Sequence, residues 1–86
     1  MNIELSKTLD QLQPDVPARV VRLTCTGADR RRMMDLGILP GTKVEVEMVS
    51  PLGDPTAYRI RGAVVALRRN QAQQIEVVPE RDGVRK

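Results

Sequence analysis

The chain has 86 residues, a formal net charge of +3, one tyrosine, and no tryptophan, phenylalanine or histidine. This length suits one small domain with a thin core, which must be aliphatic because aromatic side chains are almost absent. The modest positive charge permits an acidic partner surface without specifying nucleic acid. We see no signal-peptide core and no apolar run of the roughly 18 residues that a membrane span needs, so we expect a cytoplasmic protein.

The first predicted strand is "ARVVRL", residues 18–23, which is rich in β-branched side chains. Val20 and Val21 would face opposite sides of it, and this predicts a strand covered on both faces. Before it, Leu9 and Leu12 have the spacing of a short turn that points two leucines inward.

The segment "TGADRRRMMDLG", residues 26–37, predicts the one substantial helix. Thr26 or Asp29 can cap its start. Gly37 can end it in the left-handed conformation that glycine adopts at little cost. Of its adjacent methionines, Met33 and Met34, one should lie in the core and the other at its edge.

The stretch "ILPG" after the helix predicts an anchor followed by a turn. Ile38 and Leu39 can fold back on the helix end. Pro40 and Gly41 have the preferences of the two central residues of a type II turn, which would lead into the next strand.

Four further strands are predicted in residues 43–50, 56–62, 63–67 and 75–78. The strict alternation of residues 43–50 places Val44, Val46 and Met48 on one inward face. Gly53 lies in the turn "PLGDP", and Gly62 predicts a bulge or a sharp bend. We expect one domain over residues 1–79 and a disordered, charged tail over residues 80–86.

Short strands, tight turns and one helix predict a mainly β fold. Specifically, we predict a small five-stranded antiparallel barrel with one short helix between strands 1 and 2, and an SH3-like barrel fits this count. Barrel closure would protect strand edges that a chain of this size cannot otherwise cover. An OB-like barrel fits the same strand count.

The ordered set "MDLGILPGTKVEV", "PLGDP", "RIRG" and "ALRRNQAQQIEV" resembles the FeoA family, small components of bacterial ferrous iron uptake. The resemblance extends from about Thr8 to Val78. It implies an SH3-like fold and an accessory role beside FeoB, a membrane transporter of Fe(II) with a cytosolic GTP-binding domain. It also implies that this chain reaches the membrane only indirectly, through FeoB.

No catalytic, cofactor or metal site is expected. The sequence offers no Ser-His or Cys-His pair and no phosphate-binding glycine loop. Cys25 is interpreted as a small hydrophobic residue at a strand end, although Asp29 could approach it. We therefore expect a protein that is not an enzyme.

The best predicted partner-binding residues are Arg30, Arg31 and Arg32, on one helical turn, with Met34 beside them. Guanidinium groups pair bidentately with carboxylates, so an acidic partner surface is the natural target. The alternative is a solvated helix face that only confers solubility.

The second predicted contact is the loop "PLGDP", with Leu52 and Asp54. An exposed Leu52 could enter a pocket on the partner. Equally, it could fold over the mouth of the barrel.

A different functional class is a basic barrel that binds nucleic acid. Such modules stack bases on aromatic side chains, and Tyr58, flanked by Arg59 and Arg61, is the single candidate. We rank this below the FeoB hypothesis and expect no nucleic-acid partner. Self-association through strand edges into a homo-oligomer stays open.

Overall fold

The computed structural model of this chain describes residues 6–80. Its elements are β1 (Lys7–Thr8), a 3-10 turn (Leu9–Gln11), β2 (Ala18–Leu23), α1 (Gly27–Asp35), β3 (Lys43–Val49), β4 (Thr56–Ile60), β5 (Ala63–Leu67), α2 (Arg69–Ala72) and β6 (Ile75–Pro79). The strands form one antiparallel sheet in the order β1-β6-β2-β3-β4-β5.

The predicted mainly β, SH3-like class is confirmed, with α1 between the first two long strands. The strand count of five was wrong by one. The additional strand, β1, has two residues and pairs with β6. A strand this short shows no alternation in the sequence, because alternation needs several residues to become visible.

The core is aliphatic, apart from one tyrosine. Leu9 follows the edge strand β1 and Leu67 ends the opposite edge strand β5, yet both belong to the same buried cluster. The sheet therefore curls around a single core. Its buried residues are Leu9, Leu12, Ala18, Val20, Leu23, Cys25, Met33, Ile38, Val44, Tyr58, Ile60, Leu67, Ala72, Ile75 and Val77.

Two irregularities in strand pairing correct the predicted facing of side chains. The register between β2 and β6 shifts between Val20 and Arg22, and Val21 is 45% exposed, so β2 is not covered on both faces. The register between β3 and β4 shifts between Val46 and Met48, and Met48 is 66% exposed instead of inward. An extra residue in one strand reverses the facing of the side chains that follow it.

The end of α1 is held by two backbone hydrogen bonds. Gly37 donates to the Met34 carbonyl at 2.9 Å, and Ile38 donates to the Met33 carbonyl at 3.0 Å. With Gly37 at φ +91°, this is the Schellman arrangement of a helix C-terminus. Ile38 is fully buried, so the segment after the helix anchors it to the core.

Three turns carry the remaining glycines singled out in the sequence. Thr42 donates to the Leu39 carbonyl at 2.9 Å across Pro40 and Gly41, and Gly53 donates to the Ser50 carbonyl at 2.8 Å. Between β4 and β5, Arg61 and Gly62 both have positive φ, which defines a tight two-residue hairpin turn.

The chain remains paired to the sheet at Glu80, where the predicted tail begins. Its amide donates to the Pro17 carbonyl at 2.8 Å, and its carboxylate forms an ion pair with Arg19. The rest of that predicted tail, residues 81–86, lies outside the described residues. Within residues 6–80, neither helix has the length and apolar character required to cross a bilayer.

Candidate functional site

Helix α1 is attached to the domain along a narrow line. Met33 is its one buried residue, and the other eight of its nine residues are exposed. The segments at its two ends are also anchored in the core, through the buried Cys25 before it and the buried Ile38 after it. The helix therefore presents most of its circumference to solvent on a fixed base.

Arg30, Arg31 and Met34 lie together on this exposed side. With Gly27 and Asp35 they line an open depression of about 350 Å³. Met34 is 41% exposed there, so the depression combines a thioether with two guanidinium groups. Met33 and Met34 thus divide into one core and one surface methionine, as the sequence indicated.

The three arginines of α1 are not one cluster. Arg32 is exposed but does not line the depression shared by Arg30 and Arg31. Considering residues 6–80, none of the three forms an ion pair within 4.0 Å. Their charge is available to an external carboxylate.

The structure decides between the two positions considered for Leu52. Its side chain is 90% exposed at the tip of loop 50–55, so it does not fold over the mouth of the barrel. The neighbouring Asp54 has an internal role, because its Oδ1 accepts a hydrogen bond of 2.8 Å from the Arg69 amide. Arg69 is the first residue of α2, so Asp54 caps that helix.

Helix α2 connects the loop to the region of α1. Asp54 binds its first residue, and Gln74, just beyond its end, accepts a 2.8 Å hydrogen bond from the Thr24 amide. Thr24 lies two residues before Thr26, the N-cap of α1. The two predicted contact regions, α1 and loop 50–55, are therefore positioned from the two ends of α2.

Cys25 is buried in the aliphatic core, at 5% exposure. Asp29 is exposed on α1. Within residues 6–80, no three His, Cys, Asp or Glu side chains are arranged to hold a metal ion.

Tyr58 faces inward at 3% exposure, and its hydroxyl donates to the Leu9 carbonyl at 3.4 Å. Burial raises the pKa of this phenol. A base cannot stack on a ring that is enclosed by the core. Tyr58, the single candidate for stacking a nucleic-acid base, therefore belongs to the core and not to a binding surface.

A second surface was not identified from the sequence. Lys43, Glu45, Arg59 and Arg61 line an open groove of about 460 Å³ beside the turns at residues 41 and 62. Lys43 approaches Glu45 at 3.7 Å, and Arg59 pairs with Glu47 at 2.8 Å. The sequence does show charged residues at the outward positions of β3 and β4. Only the pairing of these two strands shows that the charged side chains form one surface.

The fold and these surfaces define a class: a small SH3-like antiparallel domain with an exposed basic helix and a projecting apolar loop. The FeoA domain family matches residues 7–79. The chain belongs to this family, which confirms the resemblance seen in the sequence. The family is associated with ferrous iron transport.

Individual relatives agree with this assignment. A Fe(2+) transport protein A/Fe(2+) transporter FeoB fusion protein from Porphyromonas gingivalis is 38% identical over 69 residues, which are 80% of this chain and 8% of that protein. This chain therefore corresponds to a small part of that curated relative.

Solved structures show the same fold. The solution structure of iron(II) transport protein A from Clostridium thermocellum has a TM-score of 0.81 and 38% identity, covering 84% of this chain and 44% of that one. Stenotrophomonas maltophilia FeoA, described as a procaryotic SH3 domain protein complexed with zinc, has a TM-score of 0.71 and 25% identity, covering 87% and 91%.

Proposed function

We propose that this chain is a non-enzymatic accessory protein of ferrous iron uptake that docks on the cytosolic GTP-binding part of a FeoB-type transporter. The observation that carries this proposal is the Porphyromonas gingivalis fusion, in which a domain 38% identical to this one shares a chain with FeoB. Two domains joined in one chain are held at a high effective concentration relative to each other, which favours an interaction between them.

We assign the docking surface to the outer side of α1, with Arg30, Arg31 and Met34 at its centre and Arg32 at its margin. Guanidinium groups that form no ion pair within residues 6–80 suit carboxylates on a partner, and an exposed methionine adapts to irregular apolar surfaces. The Schellman end at Gly37 and the buried Met33 fix this surface on the barrel. A fixed surface loses less conformational entropy when it binds.

Leu52 supplies a second, apolar contact in this proposal. At 90% exposure it is the most accessible of the large hydrophobic residues in the described part of the chain. Its loop is held by the hydrogen bond from the Arg69 amide to Asp54, so the leucine is presented from an anchored base. Asp54 then acts as a positioning residue, whereas Leu52 makes the contact.

The proposal assigns no residue of this chain to iron. The zinc bound by Stenotrophomonas maltophilia FeoA belongs to that protein, which is also described in connection with activation of ferrous iron transport. In the proposed function, this chain acts through contact with FeoB, and that contact changes the nucleotide cycle or the gating of FeoB.

The test is binding of the purified chain to the cytosolic domain of FeoB from the same organism. We expect the double charge reversal Arg30→Glu/Arg31→Glu to weaken binding at least about tenfold, because truncating or reversing close charge pairs removes several kcal/mol. The control is Arg68→Glu, an exposed arginine outside α1 that also forms no ion pair in residues 6–80, compared with each single variant, Arg30→Glu and Arg31→Glu, which changes the net charge equally. Equal binding by the native chain, the α1 variants and Arg68→Glu would contradict the assignment to α1.

A further inference from the structure

Five segments of the chain enclose a small pocket whose lining includes no residue of α1. It lies among the 3-10 turn, the loop 50–55, the strands β4 and β5, and α2, and its volume is about 240 Å³. The residues that line it include Asp10, Thr56, Tyr58, Leu67, Arg69 and Gln73. Pockets for drug-sized ligands begin at roughly 300 Å³, so this pocket suits a molecule of only a few non-hydrogen atoms.

The acidic side of the pocket is formed by Asp10. Its Oδ1 accepts a hydrogen bond from Oγ1 of Thr8, which holds the carboxylate at the start of the 3-10 turn. Burial raises the pKa of the Tyr58 phenol, against a side-chain hydrogen bond with Thr56, and the negative charge of Asp10 raises it further. The carboxylate therefore lies close to the hydroxyl groups of the pocket, and Asp54 adds to the negative potential there. This side of the pocket favours a cation.

The basic side of the pocket is formed by α2. Arg69 is the first residue of this helix and Gln73 follows four residues later, so both lie on the same side of it. The backbone amide of Arg69 is already bound to Asp54, whereas its guanidinium group forms no ion pair within residues 6–80. The guanidinium group and the carboxamide of Gln73 together offer N–H donors to one carboxylate.

Asp10 and Arg69 line the same pocket without pairing. Within the described part of the chain, no cationic side chain lies within 4.0 Å of the Asp10 carboxylate, and no carboxylate lies that close to the Arg69 guanidinium. Two opposite charges that share one small space complement a ligand that carries both charges. A ligand with a single charge would satisfy one of them and meet a like charge at the other.

We propose that this pocket binds a small zwitterion of the size of a free α-amino acid. The ammonium group of the ligand pairs with Asp10, and its carboxylate accepts hydrogen bonds from Arg69 and Gln73. The buried side chain of Leu67 leaves room on one side for a short aliphatic group. This inference does not depend on the proposed function, because the pocket contains none of the α1 residues assigned to FeoB.

The test uses alanine and its two halves, propionate and ethylammonium, each of which carries one of the two charges. Each compound is titrated to about 20 mM into the isotope-labelled chain, at neutral pH and constant ionic strength. Alanine is expected to shift the amide resonances of Asp10, Gly53 and Gln73. It should also change the fluorescence of Tyr58, the single tyrosine of a chain without tryptophan. Propionate and ethylammonium should bind at least about tenfold more weakly than alanine.

Two variants assign the ends of the ligand. Asp10→Asn keeps an oxygen that can accept the Thr8 hydrogen bond, and Arg69→Gln keeps the backbone amide that binds Asp54. We expect each variant to weaken alanine about tenfold, because one charged partner is lost. Asp10→Asn should bind propionate better than the native chain does, and Arg69→Gln should bind ethylammonium better, because each variant removes a repulsive charge.

The matched control is Arg68→Gln, which makes the same substitution at the neighbouring exposed arginine, outside the lining of the pocket. It should bind alanine as the native chain does. The inference is overturned if alanine produces no saturable shifts, if its shifts fall on other parts of the chain, or if either half binds the native chain as tightly as alanine. It is also overturned if Arg68→Gln weakens alanine as much as Arg69→Gln does.

Discussion

At the scale of single residues, Gly37 joins α1 to the barrel by geometry and not by side-chain chemistry. Its φ of +91° is one that side chains with a Cβ rarely adopt. A Cβ placed on it would lie 2.9 Å from Cδ of Arg61, whereas a Cβ on Gly41, at φ +92°, would meet nothing within 4 Å. The two glycines share a backbone conformation and differ in their neighbours.

We therefore predict that Gly41→Ala costs about 1–2 kcal/mol in the free energy of unfolding, from backbone strain alone. Gly37→Ala should cost measurably more, because Arg61 must also move. Denaturant titration of both variants checks the order, and adding Arg61→Ala to Gly37→Ala should recover the difference. If Gly37→Ala and Gly41→Ala lower the free energy of unfolding equally, the proximity of Arg61 to Gly37 does not affect stability.

Tyr58 gives a prediction about pH. Burial raises the pKa of its phenol above the ordinary value of 10.0, against the effect of a side-chain hydrogen bond with Thr56, and Asp10 and Asp54 act in the same direction as burial. The folded state then holds the proton over a range in which the unfolded chain releases it. This group leaves stability unchanged below about pH 10 and lowers it as pH rises further, through the folded pKa.

The measurement is the free energy of unfolding at about pH 9 and about pH 11, for the native chain and for Tyr58→Phe. The native chain should lose more stability over this interval than the variant, which has no phenol to titrate. Since the chain has one tyrosine and no tryptophan, its ultraviolet absorbance also reports tyrosinate formation directly. An identical loss in both proteins would contradict the assignment.

At the scale of elements, the loop "PLGDP" and α2 stabilise each other. We expect Asp54→Ala to cost about 1 kcal/mol, because the Arg69 amide loses its acceptor at a helix start. Asp54→Asn, which keeps an acceptor oxygen, should cost less. Leu52→Ala should stay within about 0.5 kcal/mol of the native chain, because the side chain is exposed. Thermal unfolding of the three variants tests this division of roles, and a large loss in Leu52→Ala would refute it.

The elements also show why some features could be predicted and others could not. The start of α1 at Thr26, its end at Gly37 and the turn at Pro40-Gly41 depend on local backbone preferences, which adjacent residues determine. The exposure of Met48 depends on a bulge opposite β4, which alternation within one strand does not reveal. Local backbone preferences were therefore sufficient to predict the helix and the turns, whereas the facing of side chains such as Met48 depends on non-local strand pairing.

At the scale of the whole molecule, the order of turns and strands predicted a small antiparallel barrel but left an OB-like barrel open. The family resemblance implied the SH3-like fold, and the family assignment agrees with it. The two-residue strand β1 escaped prediction because its pairing with β6 is a long-range contact without a local pattern. The candidate surface followed partly from composition, since the arginines and Leu52 were visible in the sequence. Assigning Asp54 to the α2 cap required the folded structure, which brings residues 54 and 69 together.

The most direct test of the central claim, docking on FeoB through α1, is an amide NMR titration of the labelled chain with the cytosolic domain of its own FeoB. It should be run with and without guanine nucleotide. We predict shifts concentrated on residues 28–36 and 51–55, absent from those positions in Arg30→Glu/Arg31→Glu. A saturable interaction that shifts other residues and leaves both segments unchanged would contradict the assigned surface, and no shifts at high concentration would contradict docking on this domain of FeoB.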